Sequence, residues 1–193
     1  MMNGLESFPN ILSDHECNHL ITLFNQDDRR TVAEVGDSVI DPSIKLGTDI
    51  YCNFIDKSFS QYNNIIFPAV AYMTQQMGYR YPNLINASAD WEPETWYNIQ
   101  HYKHNEGFFA LHNEQAYIYP FRMMAWMIYL NDSPCGTEFP YQQTTLKAIQ
   151  GHGAMWSAAW THPHKGVTPN IGDKYIATGW CVYYDINDPR PRQ

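Results

Sequence analysis

The hydrophobic pattern of this chain changes period near residue 94, and that switch limits what it can fold into. Before it, apolar residues recur at helical spacing. After it, short apolar runs follow one another closely, separated by turn residues. Helices followed by many short strands predict a mainly β domain with helices packed outside, a β-sandwich or jelly roll. The predicted organisation is a single domain over 1–193, with 1–93 as mostly helical support and 94–185 as the jelly-roll core.

The support half has readable boundaries. Ser13-Asp14-His15-Glu16 forms a capping box, and Cys17, Leu20, Ile21 and Phe24 then share one face, which predicts a helix over 13–26. Residues 27–50 carry Gly36, Asp41-Pro42 and Gly47 and read as irregular structure with room for one strand. A second helix runs from Asp56 as N-cap to Gly78 as stop. Its stripe is Phe59, Tyr62, Ile66, Val70, Met73 and Met77, and Pro68 should kink or split it. Residues 80–93 read as a loop. The predicted strands are Thr95–Tyr102, Phe108–Glu114, Arg122–Leu130, Gly136–Phe139 after a turn at Asn131–Cys135, Ala154–Trp156 and Lys174–Tyr184.

Charge and composition narrow the function. The net charge of −8 argues against nucleic acid as the main partner, because phosphate binding needs a basic surface. Cys17, Cys52, Cys135 and Cys181 are scattered without a CxxC pair and read as reduced, buried thiols. The opening MMNGLESFPN has no basic or apolar leader pattern, and no apolar run is long enough to cross a bilayer. The expectation is a soluble cytoplasmic protein without a membrane partner.

The chemistry-bearing residues lie in the second half. His112-Asn113-Glu114 is followed 52 residues later by His164, and Lys174 lies ten residues beyond that. Two imidazoles and one carboxylate hold non-haem Fe(II) on one face and leave the opposite positions open. Residues i and i+2 of a strand share a face, so His112 and Glu114 can both point inward. By the same parity Lys174, Ile176, Thr178 and Trp180 share a face of the last strand. An inward lysine needs a charged partner, and a dicarboxylate co-substrate supplies one. Together these residues suggest an Fe(II)/2-oxoglutarate dioxygenase, with O2 taking the remaining metal position.

His164-Lys165-Gly166, Gly172, Lys174 and Thr178-Gly179-Trp180 resemble the C-terminal signature of the prolyl 4-hydroxylase-like family of 2-oxoglutarate dioxygenases. Asn98 to Tyr102 with Gly107 and His112 resembles its strand leading to the proximal histidine. Arg122 to Leu130 and Gly136 to Pro140 resemble its central strands, and FPNILSDHECNHLI resembles its opening helix. The likeness covers roughly residues 7–184 and is nearest the short bacterial and phage members. It implies a double-stranded β-helix, or jelly roll, with iron on His112, Glu114 and His164. It implies 2-oxoglutarate held by Lys174 and Tyr102, and ascorbate to keep the iron reduced. The implied reaction hydroxylates a C–H bond, with a prolyl residue in a peptide or protein as the favoured substrate, and releases succinate and CO2.

Two positions depart from the pattern. Glu114 stands where the family has aspartate, and Ala125 stands near a threonine whose hydroxyl helps hold the co-substrate. Either Tyr102 and Tyr129 compensate for the missing hydroxyl, or 2-oxoglutarate binds less tightly. Several roles stay open at this point. His162 rivals His164, although the spacing to Lys174 favours His164 and Pro163 holds His162 extended. Trp180 can be core, pocket wall or both. Arg122 can face the co-substrate or pair with a carboxylate. His101, His104 and His152 read as surface or satisfied core histidines, Lys165 as solvated, and Trp126, Met127 and Trp156 as core. Segments 36–50 and Gln115–Phe121 are candidate lids. The alternatives to a peptide hydroxylase are a hydroxylase of a free amino acid or small metabolite, and a non-catalytic metal- or peptide-binding jelly roll. A zinc hydrolase fits poorly, since there is no HExxH and Lys174 would lack a role.

Overall fold

The structure, a computed structural model, describes residues 4–36, 38–85, 90–116, 119–169 and 171–184. The chain runs β1 (Leu5–Phe8), α1 (Asp14–Gln26), β2 (Thr31–Val32), β3 (Lys45–Leu46), β4 (Thr48–Asn53), α2 (Ser60–Arg80), α3 (Pro82–Ile85) and β5 (Asp90–Tyr102). It continues with β6 (Gly107–Phe108), β7 (Arg122–Tyr129), β8 (Ser133–Phe139), β9 (Thr144–Ala148), β10 (Gly153–Ser157), β11 (Lys165–Gly166) and β12 (Lys174–Tyr184). Among the described residues the major sheet has the order β1-β10-β7-β12-β5-β4-β2. A minor sheet, β11-β8-β9, and a two-stranded ribbon, β3-β6, complete a jelly roll, and all of the pairings are antiparallel.

The pleat of the major sheet sorts its side chains between two cores. Tyr97, Ile99, Met124, Trp126, Ile128, Ala177 and Cys181 face the helices, where Cys17, Leu20 and Phe24 of α1 and Ile66, Val70, Met73 and Met77 of α2 cover them. Ala125, Met127, Tyr129, Trp156 and Ile176 face the opposite way, against Phe139 and Ala148. Every residue of β7 is therefore buried, on one side or the other. Trp126 packs so closely over β12 that a Cβ on Gly179 would come within 2.6 Å of its ring, which explains a glycine in mid-strand.

The helices form as the local signals dictate. Ser13 accepts from the Glu16 amide, Glu16 accepts from the Ser13 amide, and α1 follows. Asp56 caps a single 3-10 turn, Lys57–Phe59, that leads directly into α2. Pro68 does not split α2, which is continuous over Ser60–Arg80; burial of its stripe against the sheet outweighs the local cost.

Several boundaries differ from expectation. The segment over 27–50 holds β2, β3 and the start of β4 rather than one strand. Its polar, turn-rich sequence hides strands that pair with distant partners, β3 with β6 and β4 with β5. The loop over 80–93 instead contains α3 and the start of β5, and β8 begins at Ser133, inside the predicted turn. The strand Phe108–Glu114 reduces to Gly107–Phe108, because Phe109 and Ala110 leave β3 to bond the Ile44 carbonyl. Strands β1 and β9 carried no alternating signal strong enough to predict. The four cysteines are buried and free. Among the described residues no helix is long and apolar enough to cross a membrane.

Candidate active site

One pair of residues, far apart in sequence, brings the site together. His112 and His164 exchange both backbone hydrogen bonds, at 3.0 and 2.8 Å, in an isolated antiparallel bridge. Two residues on, the Glu114 amide donates to the Ala158 carbonyl. His112 and Glu114 thus converge through two long-range backbone contacts rather than through the pleat of a strand. His112 Nδ1 donates to the Ala110 carbonyl at 2.9 Å and His164 Nδ1 to the His162 carbonyl at 3.1 Å. With Nδ1 so engaged, each ring turns Nε2 toward Glu114, whose Oε1 lies 3.1 Å from His164 and 3.7 Å from His112.

This cluster fits a divalent cation on its own geometry. One donor atom from each of His112, Glu114 and His164 falls within a 4.8 Å group. Burial pushes the Glu114 carboxyl up, but hydrogen bonds and charge from the two imidazoles outweigh it and hold it well below the usual carboxylate range. An ionised carboxylate is the form that ligates a metal. His162 does not join the group. Its carbonyl serves His164, and its Nδ1 lies 2.9 Å from the Thr161 hydroxyl. Phe108 stacks on the His112 ring at 3.7 Å, while Phe139 and Trp156 flank His164.

The cluster opens into a cavity of about 580 Å³. Lys174, Ile176, Thr178 and Trp180 of β12 all line it, so the predicted parity holds, as do Asn98, Gln100 and Tyr102 of β5. Lys174 is 2 % exposed and donates to the Val167 carbonyl at 3.1 Å, with the Gly136 carbonyl at 3.5 Å. Burial pushes its ammonium down to about 8, and no carboxylate among the described residues pairs with it. Tyr102 presents its ring 5.3 Å from that ammonium and donates its hydroxyl to Gln100 at 2.8 Å. Burial raises the Tyr102 phenol far above its ordinary range, so it stays a neutral donor.

Tyr129 sits behind this wall. Its hydroxyl lies 2.8 Å from that of Thr137, and it is Thr137 that lines the cavity, beside the Gly136 carbonyl that receives Lys174. Ala125 packs in the cavity-side core with Trp156 and carries no polar group. Arg122 lines the cavity, and its Nε donates to Glu94 at 3.1 Å. Trp180 likewise walls the cavity and donates its Nε1 to Glu114 Oε2 at 2.8 Å. Lys165 pairs with Glu138 at 3.2 Å rather than being merely solvated. His101 is a satisfied core histidine, stacked on Tyr175 at 4.0 Å and bonded to Asp173.

Some site residues escaped the sequence reading. Lys45, which lines the cavity, forms a buried ion pair with Asp49 behind it, continued through Gln100 to Tyr102. Burial pushes the Asp49 carboxyl up and Lys45 pulls it back. The i,i+4 spacing of the pair resembles a helix-surface pair, and only the β3–β4 turn inside the barrel gives it its place. Of the candidate lids, the hairpin around Val35 and Val39 borders the cavity through Glu34, Val35, Gly36 and Ser38, whereas 45–50 is sheet. Ala116 and Tyr119 line the cavity from the second candidate, whose residues 117 and 118 lie outside the described residues.

No family model and no curated protein matches the sequence. Solved structures do match in fold. A prolyl hydroxylase from Trichoplax adhaerens, in complex with a hypoxia inducible factor oxygen degradation domain peptide fragment, superposes with a TM-score of 0.74 at 15% identity, over 95% of this chain and 84% of that one. A prolyl-4-hydroxylase from Pseudomonas putida gives 0.66 at 14% identity, covering 95% of each chain. The viral collagen prolyl hydroxylase of Paramecium bursaria Chlorella virus-1, in a 2OG complex, gives 0.65 at 17% identity over 92% and 95%. This chain therefore shares the fold of the prolyl hydroxylases.

Proposed function

We propose that this protein is an Fe(II)- and 2-oxoglutarate-dependent dioxygenase that hydroxylates a prolyl residue in a peptide or protein, releasing succinate and CO2. The observation that carries the reading is the placement of His112, Glu114 and His164 in one cavity with the uncompensated ammonium of Lys174. The 2OG complex of the viral neighbour and the peptide complex of the Trichoplax neighbour support it.

Iron bound here would couple decarboxylation of 2-oxoglutarate, which takes one oxygen atom of O2 into succinate, to insertion of the other into a C–H bond, with ascorbate as reductant. His112, Glu114 and His164 would hold the metal, their backbone bonds to Ala110, Ala158 and His162 keeping the rings and carboxylate aimed. Lys174 would receive the far carboxylate of 2-oxoglutarate, with the Thr137 and Tyr102 hydroxyls on the wall beside it. Trp156 and Ile176 would exclude water around the co-substrate. Arg122, Asn98 and Tyr119 remain to meet the substrate, and the Arg122 guanidinium can donate to a peptide carbonyl.

The test is an anaerobic titration with Fe(II) and then 2-oxoglutarate, followed in the visible spectrum. A charge-transfer band that needs both additions is expected, followed by succinate production that proline-rich peptides stimulate. Iron binding without the band would identify a metal-binding module instead. A band with turnover that proline-rich peptides never stimulate, while small prolyl or other amino acids do, would move the substrate from peptide to metabolite.

A further inference from the structure

The two oxygens of Glu114 have different surroundings. Oε1 faces both imidazoles, and Oε2 accepts from Trp180 Nε1 at 2.8 Å. The indole is itself anchored. The Arg122 guanidinium lies 3.4 Å over its ring and 3.7 Å over that of Tyr119, while Arg122 Nε donates to Glu94. The strand is irregular at this point: the β12–β5 register shifts between Gly179 and Cys181, so that three residues of β5, Glu94 to Trp96, oppose Trp180 alone. The bulge lies in β5, where it re-aims side chains and places Glu94 beside Arg122, while Trp180 keeps its register with Ala125 of β7.

Packing alone does not require this bond. Trp126 and Trp156 are more deeply buried than Trp180 in the same sheet, yet their Nε1 atoms have no hydrogen-bond partner. Trp180 differs in that its N–H meets the free oxygen of the carboxylate in the metal cluster. That carboxylate is a glutamate, and a glutamate has one more rotatable bond than an aspartate with which to present both oxygens to a cation. A carboxylate bound through both oxygens occupies one coordination position more than a carboxylate bound through one, and a bidentate co-substrate needs that position.

We propose that Trp180 is a positioning residue that holds Glu114 to one-oxygen metal coordination, with Arg122 and Glu94 fixing the indole. The inference rests on the metal site proposed above. It assigns the extra methylene of Glu114 a specific consequence: the chain tolerates glutamate because the indole N–H captures its second oxygen.

The experiment uses Mn(II) as the probe and counts its water ligands by electron paramagnetic resonance in 17O-enriched water, on the unmutated protein and on Trp180→Phe. Phenylalanine keeps an aromatic ring for Arg122 to cover and removes the N–H, together with part of the indole's area. The variant is expected to bind Mn(II) at least as tightly and to hold one water fewer. With Fe(II) it should need about tenfold more 2-oxoglutarate to reach half of the charge-transfer band, in line with loss of one hydrogen bond to a charged group. Equal water counts in the two proteins, with metal bound, overturn the role of Trp180 and leave the dioxygenase reading standing. Failure of the unmutated protein to bind Mn(II) or Fe(II) overturns the metal site and this role with it. A second measurement needs no variant: in the Zn(II)-loaded protein the Trp180 indole proton should resist exchange with solvent, and rapid exchange overturns the proposal.

Discussion

Burial pushes the Lys174 ammonium down to about 8, below the ordinary lysine value of about 10.4. In the co-substrate-free protein the buried charge therefore costs stability below pH 8, and that cost fades as pH rises from about 8 toward 10.4. Co-substrate binding runs the other way, since a carboxylate partner restores the charged form. Above pH 8 binding must take up a proton, so 2-oxoglutarate affinity should fall by up to about tenfold per pH unit there. Calorimetric titrations at pH 7 and 9, in buffers of different ionisation heat, check this; Lys174→Arg should remove the dependence because arginine stays charged. Lys174→Ala should leave metal binding intact while raising the 2-oxoglutarate requirement steeply, and an unchanged requirement would remove Lys174 from the site. His112→Ala and His164→Ala should each abolish iron retention, read by metal analysis. Lys174 and its pocket-facing neighbours were legible because β12 is regular from Lys174 to Gly179, with period two. Thr137 was not assigned a role, because nothing local distinguishes its hydroxyl from other strand threonines; its position opposite Tyr129 comes from the pairing of separate sheets.

The capping box of α1 and the glycine of β12 make separate predictions among the elements. Ser13→Ala removes the acceptor for the Glu16 amide and should lower stability by about 1 kcal/mol in urea denaturation. Gly179→Ala places a Cβ against the Trp126 ring and should cost about 1–3 kcal/mol, with Tyr97 Cβ at 3.0 Å leaving little room to adjust. Helix α1 was predicted within one residue and α2 within about three at each end, because caps and apolar stripes are local signals. The segment after β6 was not: it reads as a continuous strand, yet its backbone bonds go to Ile44, His164 and Ala158 in turn. An apolar alternation states which face is buried and says nothing of which partner supplies the hydrogen bonds.

At the scale of the whole molecule, helices and cavity lie on opposite faces of one sheet, so packing and site chemistry are mechanically joined. Phe24→Ala, in the helix-side core against Tyr175 and His101, should cost about 3–5 kcal/mol. Metal should act from the other face. A divalent ion at a hundredfold excess over its dissociation constant should add about 2.7 kcal/mol. For a chain of this size that raises the melting temperature by about 5–10 °C, and a chelator should reverse the gain in differential scanning fluorimetry.

The sequence by itself determined the two amphipathic helices, the switch to strands, the inward face of β12 and the residue types of the metal cluster, because each is carried by spacing along a few turns or pleats. It also carried the likeness to the prolyl 4-hydroxylase-like pattern through His164, Gly166 and Lys174. Tertiary structure alone decided that His112 and His164 pair directly, that the His162 carbonyl serves the His164 ring, and that Lys45 and Asp49 form a buried pair. It also turned Trp180 toward Glu114. Each of these depends on which distant backbone a segment bonds to, and backbone groups are the same at every position, so the side-chain pattern carries no record of that choice.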